Sequence, residues 1–452
     1  MESINPATGE LLKSYEPWRD AQLETALAES AVAAPAWRAT PFEERARLMR
    51  NAAAELRRYA ARYGALVALE MGKLLKEARA EVEKCAWGCE YYAGQAAEFL
   101  RDEKIETDAG SSYIAYLPLG TILAVMPWNF PFWQVFRAAA PALMAGNTMV
   151  LKHSSNVPQC ALAIEEIFRA AGFPAGVFRT LMIPATQAEQ LIADPRIHAV
   201  TLTGSEAAGR KIAAAAGAAL KKTVLELGGS DAFVVLADAD LEQAASVGVT
   251  ARFQNCGQSC IAAKRFILVP EIAERFIALF RQKAEALKAG DPLKADTTLA
   301  PLARADLRAQ LHRQVADSIQ AGARAVFGCA PIAGPGYFYQ PSMIDQVRPG
   351  MRAYEEELFG PVAIVIRAGD EDDALRIAND NRYGLGASVW TADAARGERF
   401  ARRIQSGASF VNGMVKSDPR LPFGGVKASG YGRELSVHGI REFVNIKTVW
   451  IR

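Results

Sequence analysis

Short apolar runs that alternate with helix-like runs from about residue 112 onward set the strongest limit on the fold of this chain. Runs such as TILAVMPW and NTMVLK are short and rich in apolar and β-branched residues, and alanine-rich segments with helical spacing separate them. Alternating strands and helices form βαβ units, which place their strands in a parallel sheet. The sequence therefore predicts an α/β fold with parallel sheets.

The chain is too long for one hydrophobic core, and a glycine pair divides its pattern. At 452 residues, two or three domains are expected. The first alternation ends at Gly228-Gly229, and a second one follows it. We predict two Rossmann-like parallel α/β domains. The first comprises residues 1–108 and 121–228, with N-terminal helices ahead of its sheet, and the second comprises residues 229–415.

Two remaining segments are strand-like but lie outside this alternation. The tail NIKTVWIR has no strand near it in the sequence with which it could pair, and SSYIAYLPLG has a similar character. We interpret residues 109–120 and 436–452 as a β-arm that lies at a sheet edge or pairs subunits.

The charge balance and the cysteine count exclude several classes of protein. The chain has 52 basic and 50 acidic residues, so its net charge of +2 gives no electrostatic reason to expect nucleic acid or a membrane surface as partner. No apolar run is long enough for a membrane helix, and no secretory signal is visible. Six cysteines fit a reducing compartment, so we expect a cytoplasmic protein. Cys85 and Cys89 lack a histidine pair, so no metal site is predicted.

The segment NCGQSC, residues 255–260, contains the best candidate nucleophile. Gly257 allows a tight turn, and a thiol at the end of such a turn can face a cleft. Only about 3% of an ordinary thiol is ionised at neutral pH, so Cys260 needs a nearby cation, dipole or base. The alternative is a small buried side chain, the commoner fate of a single cysteine.

Two polar residues follow predicted strands and could assist that thiol. Glu226 ends the strand of TVLELGG, where the carboxyl ends of parallel strands border a ligand crevice, and burial there would raise its pKa toward the range of a general base. Asn129 lies between two prolines in PWNFP and could donate to a developing oxyanion. The alternatives are a solvated glutamate and a structural turn with Trp128 in the core.

Two further segments could contact a phosphate. Gly204-Ser205 follows a strand and opens a helix, whose free N–H groups suit a pyrophosphate, although the chain has no G-x-G-x-x-G fingerprint. Lys152 ends another strand and could reach ribose or phosphate oxygens; a surface lysine is the simpler interpretation.

In order along the chain, PWNFP, LK-x-x-S, TGS-x-x-x-G, ELGG, GQ-x-C, EEELFGP and PFGGVKASGYGRE closely resemble the aldehyde dehydrogenase superfamily. The resemblance spans nearly the whole chain, and within the superfamily the chain is similar to the short succinate-semialdehyde dehydrogenase type. It implies a cofactor-binding domain, a catalytic domain and an oligomerisation β-arm, in a homodimer or homotetramer.

The resemblance also implies roles for individual residues. Cys260 is the nucleophile, Glu226 is the general base, and Asn129 forms the oxyanion hole with the Cys260 N–H. The cysteine adds to the aldehyde, a hydride passes to the nicotinamide, and water hydrolyses the resulting thioester. Positions that match cofactor contacts are Pro127, Trp128, Lys152, Ser155, Gly204, Ser205, Leu227, Glu357 and Phe359.

Specificity rests on a few positions within this resemblance. Members that favour NAD usually carry glutamate where this chain has Ser155, so we predict that NADP is preferred and that NAD is possible. Arg137 and Ser417 match positions that bind a distal carboxylate, which predicts oxidation of succinate semialdehyde to succinate. Gln254 replaces an arginine common in such enzymes, and Lys416 and Arg420 are candidates for the missing charge.

Other functions remain open at this point. One alternative is a dehydrogenase of broader specificity for aliphatic or aromatic aldehydes, and another is a thiol esterase on the same scaffold. A non-catalytic structural relative is disfavoured by the presence of Cys260, Glu226 and Asn129. The four histidines belong to no nucleophile–base signature, so a cysteine–histidine hydrolase is disfavoured as well.

Overall fold

Two large sheets with flanking helices form the framework of the computed structural model, which describes residues 1–452. The strands are β1 (Glu2–Ile4), β2 (Leu11–Ser14), β3 (Glu103–Lys104), β4 (Ser111–Pro118), β5 (Thr121–Met126), β6 (Thr148–His153), β7 (Phe178–Thr180), β8 (Ile197–Thr203), β9 (Lys222–Glu226), β10 (Asp231–Val235), β11 (Ala263–Leu268), β12 (Arg324–Phe327), β13 (Ser342–Asp345), β14 (Val362–Arg367), β15 (Tyr383–Gly384), β16 (Gly386–Trp390), β17 (Ala408–Val411), β18 (Val426–Lys427), β19 (Gly430–Tyr431) and β20 (Val444–Ile451). The helices are α1 (Asp20–Ala39), α2 (Phe42–Arg58), α3 (Ala60–Met71), α4 (Leu75–Phe99), α5 (Trp133–Met144), α6 (Pro158–Ala170), α7 (Ala185–Leu191), α8 (Glu206–Ala218), α9 (Leu241–Phe253), α10 (Ala273–Glu285), α11 (Ala305–Gln320), α12 (Arg352–Glu355), α13 (Glu371–Asn379), α14 (Ala394–Arg403) and α15 (Ser436–Arg441).

The first sheet has six strands in the order β19-β9-β8-β5-β6-β7. Strands β5 to β9 are parallel, as the alternation predicts, and their interiors are apolar because helices cover the sheet. The chain order reverses between β5 and β8, and ligands bind in open α/β sheets at the carboxyl ends beside such a reversal. Asn129 follows β5, Gly204 follows β8, and Glu226 ends β9.

The second sheet has seven strands in the order β12-β13-β14-β11-β10-β16-β17. All pairs are parallel except β12 with β13, which are antiparallel. Cys260 lies before β11, directly after a short 3-10 turn at Gln254–Gly257. Two separate apolar cores of similar size accompany the two sheets. The predicted α/β class with parallel sheets is confirmed.

The C-terminal tail finds its strand partner far away in the sequence. Strand β20 pairs antiparallel with β4 along its whole length, from Val444 opposite Pro118 to Ile451 opposite Ser111. The predicted arm differs in detail, because residues 436–441 form helix α15, whose Ile440 is fully buried. Strand β3 adds a third strand to this small sheet.

One strand pairing was not predicted from the sequence. Strand β19, Gly430–Tyr431, pairs antiparallel with β9 and so joins the first sheet after the chain has completed the second. The grouping of segments into domains stays a prediction. No helix of the structure has both the length and the apolar character needed to cross a membrane.

Candidate active site

A turn with left-handed backbone holds Cys260 in place. Asn255 and Cys256 have φ of 54°, and Gly257 has φ of 70°. A side chain at Gly257 would bring its Cβ within 2.3 Å of the carbonyl oxygen of Gly360, so glycine is required there by contact as well as by conformation. This turn places Cys260 where two cavities meet.

The two cavities have volumes of about 450 and 300 Å³, and Cys260 lines both. The predicted residues that line the larger cavity are Pro127, Trp128, Asn129, Gly204, Ser205, Leu227, Glu357 and Phe359. The predicted residues that line the smaller cavity are Arg137, Gln254 and Ser417. Lys152, Ser155 and Glu226 line neither cavity. Most of the predicted residues therefore line one of the two cavities that Cys260 also lines.

Burial and two cations act on the Cys260 thiol in opposite directions. Burial is the largest effect and raises its pKa to about 12, although the positive charges of Arg137 and Lys264 act to lower it. Lys264 is fully buried, and its Nζ donates to the carbonyl oxygens of Ser259 at 2.9 Å and of Cys260 at 2.7 Å. It also pairs with Glu357 at 3.1 Å. These cations favour the thiolate in a site that otherwise disfavours charge.

Asn129 has a fixed amide orientation beside Cys260. Its Nδ2 donates to the carbonyl oxygen of Gln258 at 3.1 Å, and its Oδ1 accepts from Nε2 of Gln134 at 3.1 Å. One amide hydrogen therefore remains for another acceptor, and both Asn129 and Cys260 line the larger cavity. A fixed donor next to a nucleophile suits a developing oxyanion.

Glu226 is buried and lines neither cavity. Its side chain is buried, and neither carboxylate oxygen has a hydrogen-bond partner. Burial and the nearby Glu434 raise its pKa well above the usual range, while Arg137 and Arg433 lower it. This carboxyl group lines neither of the cavities that Cys260 lines, so a base role requires its side chain to rotate.

Arg137 is already paired with a carboxylate. It is buried, and its Nε forms an ion pair with Glu434, which is also buried. Its Nη2 donates to Oγ1 of Thr203 at 3.2 Å, and its guanidinium lies 4.6 Å from the centre of the Phe423 ring. Glu434 belongs to the PFGGVKASGYGRE motif, and its role was not predicted from the sequence. Arg137 therefore offers the smaller cavity N–H donors, and Glu434 offsets part of its charge.

The smaller cavity also contains Lys84, a cation that was not predicted from the sequence. Ser417 accepts from Nζ of Lys84 at 2.7 Å and from Nε1 of Trp133 at 3.2 Å. Lys416 lines the cavity, as a residue that supplies the missing positive charge must. Arg420 does not line it and instead pairs with Asp418 at 2.7 Å, so Arg420 was wrong as a source of the missing charge. Nothing in the local sequence around Lys84 indicates its place in the site.

The larger cavity has the features that a dinucleotide needs. Trp128 and Phe359 form an edge-to-face ring pair with centroids 5.8 Å apart on its wall. Ser205 caps helix α8, whose first N–H groups open toward the cavity and suit a phosphate. A Cβ at Gly228 would lie 2.4 Å from Oε2 of Glu357, so a larger residue there would displace the Glu357 carboxylate.

Lys152 and Ser155 lie at the end of the neighbouring strand β6. Lys152 is buried, burial lowers its pKa, and no carboxylate pairs with it. Ser155 is exposed in the turn that follows. Strand β6 pairs with β5, and Lys152 is in register with Val125, two residues before Pro127. A cation without a partner at this edge favours an anionic ligand.

The family model of the aldehyde dehydrogenase family matches residues 1–449 of the chain. The chain belongs to the aldehyde dehydrogenase family. A relative from Synechocystis sp., named a probable succinate-semialdehyde dehydrogenase [NADP(+)], is 52% identical over 449 residues, which cover 99% of each protein. The succinate-semialdehyde dehydrogenase [NADP(+)] of Mycobacterium avium is 50% identical and covers 99% of this chain and 96% of that protein.

A solved structure agrees over the same length. The succinic semialdehyde dehydrogenase of Streptococcus pyogenes, solved with NADP+ as the cofactor, has a TM-score of 0.98 and 41% identity, covering 100% of this chain and 99% of that chain. The predicted aldehyde dehydrogenase fold is therefore confirmed. As a member of this family the protein is an oxidoreductase that acts on aldehydes.

Proposed function

We propose that this aldehyde dehydrogenase oxidises succinate semialdehyde to succinate with NADP as its preferred cofactor. The observation that carries the proposal is the meeting of two cavities at Cys260, one suited to a dinucleotide and one lined by cations. The names of the relatives from Synechocystis sp. and Mycobacterium avium support both the substrate and the cofactor.

In the proposed reaction the Cys260 thiol gives its proton to solvent water, and the resulting thiolate attacks the aldehyde carbon and forms a thiohemiacetal. Arg137 and Lys264 stabilise the thiolate before the attack, since both lower the pKa of this thiol. The free amide N–H of Asn129 and the Cys260 backbone N–H donate to the resulting oxyanion. One such fixed donor contributes about 3 kcal/mol to stabilisation of the transition state.

A nicotinamide dinucleotide, when bound, supplies the hydride acceptor that converts the thiohemiacetal to a thioester. Trp128, Leu227, Glu357 and Phe359 would hold it along the larger cavity, with the start of helix α8 at Gly204 and Ser205 for a phosphate. Pro127 would shape the same wall. Lys152 and Ser155 would contact the adenosine ribose and its 2′-phosphate, because Lys152 has no anionic partner of its own.

Glu226 completes the cycle by taking a proton from the water that hydrolyses the thioester. Its carboxyl group is buried beside Glu434, and the resulting rise in its pKa makes it a stronger base once ionised. Rotation of the side chain into the larger cavity then brings the carboxylate to the water.

The appearance of reduced nicotinamide absorbance tests this proposal in one assay. Succinate semialdehyde with NADP should give a steady rise in that absorbance together with succinate. Ester hydrolysis without any reduction of NADP would instead favour a thiol esterase and contradict the proposal.

Ser155 is expected to determine the choice between NADP and NAD. We expect Ser155→Glu to lower kcat/KM for NADP by about tenfold or more, because the new carboxylate repels a 2′-phosphate and can accept from ribose hydroxyls. Ser155→Gln, which has the same size without the charge, should lower it less. Steady-state kinetics of both variants with both cofactors gives the answer. A wild-type preference for NAD, or an unchanged preference in Ser155→Glu, would contradict this role.

The β-arm supports a proposed homo-oligomer, either a dimer or a tetramer. Ile446, Trp450 and Ile451 on β20 and Leu117 on β4 are large apolar side chains that are 40–60% exposed, which favours a protein partner for this edge. Light scattering after size exclusion should show an assembly, and a stable monomer at micromolar concentration would contradict it. The cytoplasm is the proposed location, on the cysteine content alone.

A further inference from the structure

The smaller cavity contains a half-buried cation that no carboxylate neutralises. Four basic side chains line this cavity, and two of them are paired: Lys73 with Glu81 and Arg137 with Glu434. Lys84 forms no salt bridge, and its only side-chain hydrogen bond goes to a neutral hydroxyl. The fourth cation, Lys416, is exposed to solvent.

The surroundings of Lys84 make its unpaired charge costly. Its Nζ lies 4.6 Å from the centre of the Trp133 ring, and burial lowers its pKa to about 8, with a further contribution from the charge of Arg137. An ammonium group in such a place gains more from an anionic partner than an exposed lysine does, because solvent screens it less. The cavity therefore has an anion-binding point away from the thiol.

Ser417 provides a second donor beside this ammonium group. Its Oγ accepts from both Lys84 and Trp133, so the lone pairs of the hydroxyl are occupied and its own hydrogen is free to donate. A carboxylate has two oxygens and can accept from an ammonium group and a hydroxyl at the same time. Cys260 lines the same cavity, so an aldehyde at the thiol could extend its other end toward this pair.

We propose that Lys84, together with Ser417, binds the distal carboxylate of the aldehyde substrate and thereby sets the preference for ω-carboxylated aldehydes. This inference rests on the proposed function and adds the residue that supplies the net charge. Arg137 contributes N–H donors and acts on the thiol, and its guanidinium is already paired with Glu434. Loss of Arg137 should therefore impair all aldehydes, whereas loss of Lys84 should impair the carboxylated ones selectively.

The first experiment replaces Lys84 with methionine, which keeps the length of the side chain and removes its charge. The quantity measured is the ratio of kcat/KM for succinate semialdehyde to kcat/KM for butanal, with NADP at neutral pH. We expect Lys84→Met to lower this ratio about 30-fold or more, mostly through KM, since truncating one partner of a buried charge pair costs at least that much.

The matched control is Lys76→Met, the same change at an exposed position on helix α4 outside the cavity. It should leave the ratio within about twofold of wild type, because solvent screens an exposed charge outside the cavity. Lys416→Met should have a smaller effect than Lys84→Met for the same reason. A larger effect at Lys416 would overturn the assignment to Lys84.

A wild-type pH profile tests the proposal without any variant. The groups that act on Lys84 are Glu81 and Cys85 on its own helix, Arg137 on α5 and Asp418 after Ser417. The substrate carboxylate is ionised throughout, and the titration of Cys260 cancels in the ratio of the two aldehydes. The ratio should be constant below a pH of about 8 and fall as Lys84 loses its proton above it. A ratio that stays constant through this range would contradict the proposal.

The outcomes separate this inference from the function on which it rests. A wild-type ratio near one would overturn the proposed substrate class, and the role of Lys84 with it. A high wild-type ratio that Lys84→Met leaves unchanged in a folded variant, judged by thermal melting, would overturn the role of Lys84 alone.

Discussion

Replacing Cys260 with alanine is expected to lower kcat for aldehyde oxidation by about 10⁴-fold or more. The thiol is the only nucleophile that lines both cavities, and the thiohemiacetal and thioester both require its sulfur. Asn129, Arg137 and Lys264 are arranged around this atom and have no reacting group to act on without it. Cofactor reduction should therefore fall to the level of the uncatalysed reaction.

Cys256 provides the matched control for this variant. It is a buried cysteine in the same turn, and it lines neither cavity, so an aldehyde cannot reach its thiol. Cys256→Ala should keep most of the activity, while Cys260→Ala should lose it although NADP still binds. Substantial dehydrogenase activity in Cys260→Ala, or its loss in a folded Cys256→Ala variant, would show that the nucleophile is misassigned.

Replacing Glu226 with glutamine should lower the steady-state rate by about 10²- to 10⁴-fold while leaving the first turnover intact. The amide has nearly the shape of the carboxyl group but cannot take a proton from water, so the thioester would accumulate on Cys260. Rapid mixing should therefore show a burst of NADPH that approaches one equivalent per site, followed by a slow phase.

The pH dependence of the slow phase gives a second readout for Glu226. Burial and Glu434 raise the pKa of this carboxyl group, so it is protonated and inactive as a base at low pH. The rate of hydrolysis in wild type should rise with pH as the group ionises, and Glu226→Gln should lose that rise. Loss of the burst itself would instead assign Glu226 to activation of the thiol.

Residues that follow strands were predictable, because parallel strands carry their carboxyl ends to one edge of the sheet. This local rule placed Asn129 and Gly204 correctly beside the larger cavity. The rule also located Glu226 at the end of β9, but it could not predict the direction of the side chain. That direction depends on the far end of the chain, where Gly430 pairs with Glu226 and Gly424 lies close to its carboxylate.

The residues that the sequence analysis missed reach the site through long-range packing. Lys84 lies on an N-terminal helix and meets Ser417 from the C-terminal part of the chain. Lys264 lies next to Arg265 near the start of strand β11, and its contacts with Glu357 and the Cys260 carbonyl depend on the three-dimensional arrangement. Strand β19 contains only Gly430 and Tyr431, too few residues to carry a strand signal, and its pairing with β9 is visible only in the structure.

Selection of aldehydes with a terminal carboxylate is tested most directly by a comparison of substrates in the wild-type enzyme. Initial rates of NADP reduction should be measured with succinate semialdehyde, with butanal and with an aromatic aldehyde. We expect kcat/KM for succinate semialdehyde to exceed the other two by about 100-fold, the value of a buried charge-assisted contact. An equal or higher kcat/KM for butanal or the aromatic aldehyde would contradict the account.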